Sequence, residues 1–366
     1  MLRKLLLVFL LSINALYAAA QSGKLIVGTY TNKGNSEGIY VYDFDSKTAH
    51  AKQVSIIKNV FNPSYLALSK NSDFLYSVYE DGTNSAASAF RFNATTGEAN
   101  FLNKEATKGS NPCFILTDGK NALTANYSGG SISVFGIKAD GSLTSIKQNI
   151  QHIGSGPDKR QASAHVHQVL FSPDKKYVIA TDLGEDKVYV YHYQADAQAP
   201  LTLKQSIKTN AGTGPRHLTF SPNGKFAYLA HEFNGKISVF SYNDGNLSLL
   251  QEVATVAKDF TGKIDAADIH LSADGRFLYE SNRGDATAIN VFAVQKNGKL
   301  SAVETVSSLG KGPRNFTIDP SGKYLLVAHQ YTNNVVIFNR NTQTGKLTDS
   351  GKQINVGTPV CLVFSK

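Results

Sequence analysis

The stretch Gly214–Phe240, GPRHLTFSPNGKFAYLAHEFNGKISVF, decides the fold. It contains an alternating apolar run (His217 to Phe220), a Ser-Pro-Asn-Gly turn, a second run (Phe226 to Ala230), a polar pair (His231, Glu232), an Asn-Gly turn and a third run (Ile237 to Tyr242). Short β-branched and aromatic runs bounded by Gly, Pro and Asn are the signature of strands joined by tight turns. Variants of the stretch return along the whole chain. First strands are predicted to begin near Asn62, Asn111, His165, Gly214, Ala267, Gly312 and Thr358, roughly 45 to 54 residues apart, the period of a four-stranded propeller blade.

The unit from Gly312 shows all four strands: Asn315 to Ile318, Tyr324 to Ala328, Asn334 to Asn339, and Leu347 to Gln353. The last unit stops after one strand, and the start of the chain supplies the complement in Leu25 to Tyr30, Gly38 to Asp45 and Lys52 to Lys58. Six whole units plus one split unit predict an all-β, seven-bladed propeller of antiparallel blades, its ring closed by N-terminal strands pairing with the C-terminal one. Such closure removes the exposed edges that an open array would carry. No segment has convincing helical periodicity.

Residues 1–20, MLRKLLLVFLLSINALYAAA, carry two basic residues, an apolar core and a small-residue end. That is the layout of a cleaved secretory signal, which predicts a single mature domain over 21–366 and a periplasmic or secreted location. Removing Arg3 and Lys4 takes the formal charge from +9 to +7 (9 − 2), and the remaining lysines are scattered over turns and strand ends rather than gathered into a basic stripe. Nucleic acid is therefore not an expected partner, nor is a membrane once the signal is removed, and the protein is expected to act as a monomer on a small molecule. Cys113 and Cys361 fall in first strands of non-neighbouring units and are expected to be buried free thiols.

The chain has no Trp, which excludes the Trp-Asp class of propeller. The segments VGTYT (27–31), NPCF (111–114), ANYSGGSISVF (125–135), Arg160-Gln161, AHVHQVLFSPD (164–174), TDLGEDKVYVY (181–191), GPRHLTFSPNGKFAYL (214–229), SNRG (281–284) and GPRNF (312–316) together resemble the lactonase family of seven-bladed propellers. That family includes bacterial 6-phosphogluconolactonases and fungal carboxymuconate cyclases. The resemblance implies lactone chemistry served by a His, two Arg and a Glu, which match His165 or His167, Arg216, Glu232 and Arg283 here.

The residues support the same chemistry independently. Aligning the units puts Ser64, Cys113, His167, Arg216, Ala267, Arg314 and Val360 in one inner-strand column. A second column, at the end of strand two, runs Thr29, Tyr79, Asn126, Asp182, His231, Asn282 and His329. It is followed by Tyr30, Glu80, Tyr127, Leu183, Glu232, Arg283 and Gln330. Lactone opening needs a base to activate water and cationic donors for the oxyanion and product carboxylate. His165 or His167 can be that base, Glu232 can orient water or act as the base itself, and Arg216 and Arg283 can supply the charged forks. Glu80, Asn126, Asp182, Asn282, Arg314 and Gln330 complete the substrate-binding candidates. For Asn126, Asp182 and Asn282 the competing reading is a purely structural bond to a neighbouring turn. No cofactor or metal is expected to be required, although Glu80, Asn126, Asp182 and Asn282 offer oxygens for a channel-bound Ca²⁺. The expected activity is hydrolysis of a sugar-acid lactone. The alternatives are the reverse lactonising direction on a muconate-type diacid, or a non-catalytic binding propeller.

Overall fold

In the computed structural model, which describes residues 22–365, seven four-stranded sheets follow one another around a ring. The innermost strands are Leu66–Leu68, Pro112–Thr117, Val166–Phe171, Pro215–Phe220, Ala266–Leu271, Pro313–Ile318 and Pro359–Phe364. Among the described residues there is no α-helix, and none is long and apolar enough to cross a membrane. The expected signal segment, 1–20, lies outside the described residues.

The closing sheet is assembled from both ends of the chain. Ser22–Thr29 pairs antiparallel with Pro359–Phe364, aligning Leu25 with Phe364 and Val27 with Leu362. Leu25, Val27 and Leu362 are buried in one apolar cluster with Leu326, Ala328, Val335 and Ile337 of the preceding blade, so closure buries side chains as well as an edge. Leu362→Ala is accordingly expected to cost about 2–5 kcal/mol by leaving a cavity at the seam, measured as a fall in the denaturant midpoint.

The turns predicted from Ser-Pro-Asn-Gly and its variants form as their chemistry dictates. The side-chain oxygen of the turn serine accepts the amide of the residue opening the next strand: Phe226 to Ser221, Tyr177 to Ser172 and Phe277 to Ser272, at 2.9 to 3.1 Å. Neighbouring blades are tied by a second repeated device. The hydroxyls of Tyr76, Tyr228 and Tyr279 donate to the carbonyls of Gly141, Gly298 and Gly345 in the next blade. Those glycines hold positive φ, and a Cβ at any of them would fall within 2.4 Å of Phe74, Phe226 or Phe277. Both cysteines are free and buried, as their positions in the repeat implied.

Candidate active site

The inner-strand column has a structural basis that the alignment did not show. In six of the seven blades the ladder between strands one and two slips by a β-bulge at the aligned residue. The pairing jumps from Pro112 to Phe114, Val166 to Gln168, Pro215 to His217 and Pro313 to Asn315, skipping Cys113, His167, Arg216 and Arg314. It also skips Ala267 and, across the seam, Val360. A bulge interrupts the alternation of side chains and re-aims the extra residue. Cys113, His167 and Arg314 thereby reach one cavity of about 240 Å³. The opposite wall comes from residues just past strand two: Tyr30, Glu80, Tyr127, Glu232 and Arg283.

Glu232 is the electrostatic centre of this wall. Its Oε2 lies 2.9 Å from Nε of Arg216, off the line of a hydrogen bond, and 3.0 Å from a terminal nitrogen of Arg283. Arg283 also donates to Asp265 at 2.8 Å, and Arg160, stacked 3.5 Å above the ring of Phe233, approaches the other oxygen of Glu232 at 3.8 Å. Arg216 is almost wholly buried, donates to the carbonyl of Ala267 and does not line the cavity; it holds Glu232 from behind. Burial, then Arg283 and Arg314, lower its pKa to about 10, which leaves it protonated at neutral pH.

The two candidate histidines diverge. His165 stacks on Tyr127 at 4.5 Å, its backbone amide donates to Asp182, and its Nδ1 donates to the carbonyl of Tyr127, so it braces the wall rather than facing the cavity. His167 lines the cavity, edge-on to Tyr127 at 5.6 Å and to His217 at 5.0 Å, with no partner for Nδ1. Burial first, and then Arg216, His217, Arg314 and Arg283, hold its pKa well below the ordinary histidine value. Its ring is therefore neutral at pH 7. His217 behind it is fixed by Asp268 at 2.8 Å, which also binds His270.

Arg314 is the cation without a commitment. Its guanidinium lies 5.6 Å from the ring centre of Tyr30 and makes no hydrogen bond or ion pair to any described residue. Burial opposes its charge, but Tyr30 and Glu80 outweigh that and raise its pKa. Burial raises Glu80 above the usual carboxylate range, while Ser64 donates to it at 2.6 Å. Tyr30, Tyr127 and Cys113 are each pushed up to about 12, chiefly by burial, so all three are protonated at neutral pH.

Three substrate-binding candidates lie away from the cavity. Asn126 donates to Ser131 and Ser133; Asp182 accepts from the amides of His165, Gly184 and Glu185; Asn282 accepts from the amides of Asp265 and Gly284. All three are fully buried within their own blade's turn, so of the two readings the structural one describes their contacts. The proposed Ca²⁺ oxygens therefore do not converge: only Glu80 of the four faces the cavity. Asp182 does meet His152 and Glu185 in a buried group, but both ring nitrogens of His152 are engaged, by Asp182 and by Tyr191, each at 2.7 Å. Gln330 lines an adjoining outer cavity with Tyr30 and Glu80.

Sequence reasoning singled out neither Asp265 nor Arg160 as site residues. Both lie on the longest blade-to-blade connections, 255–265 and 152–165, and the wider spacing of the corresponding repeats was the available signal.

Comparison with known proteins agrees with this architecture. The family described as "Lactonase, 7-bladed beta-propeller" matches residues 24–364. The chain is 38% identical over 343 residues to a 6-phosphogluconolactonase of Bacillus subtilis, covering 92% of this chain and 97% of the relative. A crystal structure of a putative 6-phosphogluconolactonase from Bacteroides fragilis superposes with a TM-score of 0.90 at 44% identity, over 94% of this chain and 98% of that one. The periplasmic gluconolactonase of Pseudomonas aeruginosa does so with a TM-score of 0.91 at 38% identity, over 94% and 99%. The chain belongs to the lactonase family of seven-bladed β-propellers.

Proposed function

We propose that this protein is an exported, monomeric lactonase that hydrolyses the lactone of an unphosphorylated sugar acid without a cofactor. The observation that carries the reading is the pairing, in one small cavity, of a neutral histidine with a free ring nitrogen and a guanidinium with no partner. His167 takes a proton from water as its oxygen adds to the lactone carbonyl. Arg314, with Arg283 beside it, holds the oxyanion and then the product carboxylate. The ring C–O bond breaks, the proton on His167 passes to the departing oxygen, and the new acid releases one proton at neutral pH. Glu232, clamped by Arg216 and Arg283, keeps the wall in place.

Support for the substrate class comes from the names of the relatives, 6-phosphogluconolactonase and periplasmic gluconolactonase, and from charge. Arg216 and Arg283 are already neutralised by Glu232 and Asp265, leaving Arg314 for one carboxylate and no second free arginine in the cavity for a phosphate. A cavity lined by guanidinium and carboxylate groups also differs from the apolar patch of a protein-docking face. To test the reading, disappearance of glucono-δ-lactone is followed with purified protein. Arg314→Ala is expected to lower kcat/KM on the order of 10²-fold, and equal rates in the two proteins would refute the assignment.

A further inference from the structure

A second cavity, of about 400 Å³, adjoins the first, with Tyr30 and Glu80 in the lining of both. We propose that this vestibule is a sugar subsite, and that the substrate is the lactone of a disaccharide acid whose non-reducing ring sits there. The inference rests on the lactonase reading above and concerns what lies beyond the reacting ring.

The inner cavity falls below the roughly 300–1,000 Å³ of sites that enclose drug-sized ligands, and it suits a single six-membered lactone. With the lactone carbonyl at His167 and Arg314, the ring carbon opposite the carbonyl faces the mouth. A substituent there enters the vestibule.

The vestibule lining has the chemistry of a sugar site. Its walls are rigid. Asn62 accepts the amides of Thr31 and Asn32 at 2.9 and 3.0 Å and donates to the carbonyl of Glu80, while Asn111 accepts the amide of Gly82 and donates to Ser128. On those walls stand polar ends with no hydrogen bond or ion pair to a described residue: the side chains of Asn32, Lys33, Asp81 and Gln330. Phe61, backed by Tyr79 at 5.8 Å, presents an aromatic ring beside them. Uncommitted donors and acceptors around an aromatic face match a ring bearing hydroxyls, which offers both kinds of partner at each carbon.

The charges of the vestibule suit a phosphate, the other substituent that could point the same way, less well. Phosphate sites are built from arginine forks, lysines or long helix N-termini, and of these the vestibule lining offers a single lysine. Among the described residues Lys33 is its only cation, set against Asp81 and Glu80. Lactones of this kind arise when the reducing end of a disaccharide is oxidised at its anomeric carbon, so an oxidation of that class would supply the substrate.

The experiment compares kcat/KM of the purified protein on glucono-δ-lactone, on the lactone of cellobionic acid and on 6-phosphogluconolactone. The disaccharide lactone is expected to be favoured by about tenfold or more, mainly through a lower KM. Phe61→Ala and Asn32→Ala are expected to remove that advantage and leave glucono-δ-lactone unaffected. A disaccharide lactone used no better than glucono-δ-lactone, or a preference for the phosphorylated substrate, overturns the subsite while the lactonase reading stands. Inactivity on all three overturns both.

Discussion

His167→Gln is expected to lower kcat on the preferred lactone by about 10²–10⁴-fold, the range for loss of a positioned general base, with a much smaller change in KM. Glutamine keeps the shape and polarity of the position but cannot take a proton. Because His167 sits on a bulge between Tyr127 and His217, its replacement leaves the cavity's other charges where they are. The same assignment fixes a pH profile. The base must be unprotonated, and burial together with the surrounding arginines holds its pKa well below 6.5. The wild-type kcat/KM should therefore be flat from pH 6.5 to 7.5, its acid limb displaced below the ordinary histidine range.

Stability changes in the same direction as pH falls. His217, His231 and His329 are also lowered, each to about 4 and each chiefly by burial. Below pH 6.5 the unfolded chain takes up protons that these folded histidines refuse, so folding stability declines as pH falls. His270, raised by Asp268 despite burial, acts against that trend. Initial rates must accordingly be read alongside circular dichroism at each pH. An acid limb centred at or above 6.5 in protein that is still folded would exclude His167 as the base.

The ring was legible because a repeat states its fold several times over. The predicted strands Tyr324 to Ala328 and Asn334 to Asn339 differ from the observed Tyr324–His329 and Asn334–Arg340 by one residue at an end. The split unit could be read from the chain ends alone. Much of the site was equally accessible, since aligning copies exposes residues that depart from the template, and His167, Glu232, Arg283, Glu80 and Arg314 all reach the cavity. What the alignment could not supply was direction. Strand alternation places His165 and His167 on one face, whereas the bulge at His167 turns it into the cavity and leaves His165 against Tyr127. Nor does sequence distinguish an arginine that is free from one already paired. Arg216 and Arg314 occupy the same column, and only the positions of Glu232 and Ala267 show that the first is committed and the second open. That difference is why the proposed anion-binding role falls to Arg314 rather than to Arg216.

Glu232→Gln should cost both fold and function, and the way these separate tests the clamp. Removing one member of a buried ion pair leaves an uncompensated charge, typically destabilising by about 3–5 kcal/mol. The two arginines are not equally exposed to that loss. Arg283 keeps Asp265 at 2.8 Å, but Arg216, with a side chain 1% accessible, keeps only the carbonyl of Ala267. Most of the destabilisation should therefore pass through Arg216. Adding Arg216→Met to Glu232→Gln should recover much of the denaturant midpoint, because it deletes the orphaned charge and fills its volume with apolar atoms. Activity should not recover, since Arg283 and the wall beside His167 have lost the carboxylate that positions them. If Glu232→Gln unfolds at the same urea concentration as the wild type, Glu232 is not the clamp described here. If the double variant regains stability and rate together, Glu232 acts only on the fold.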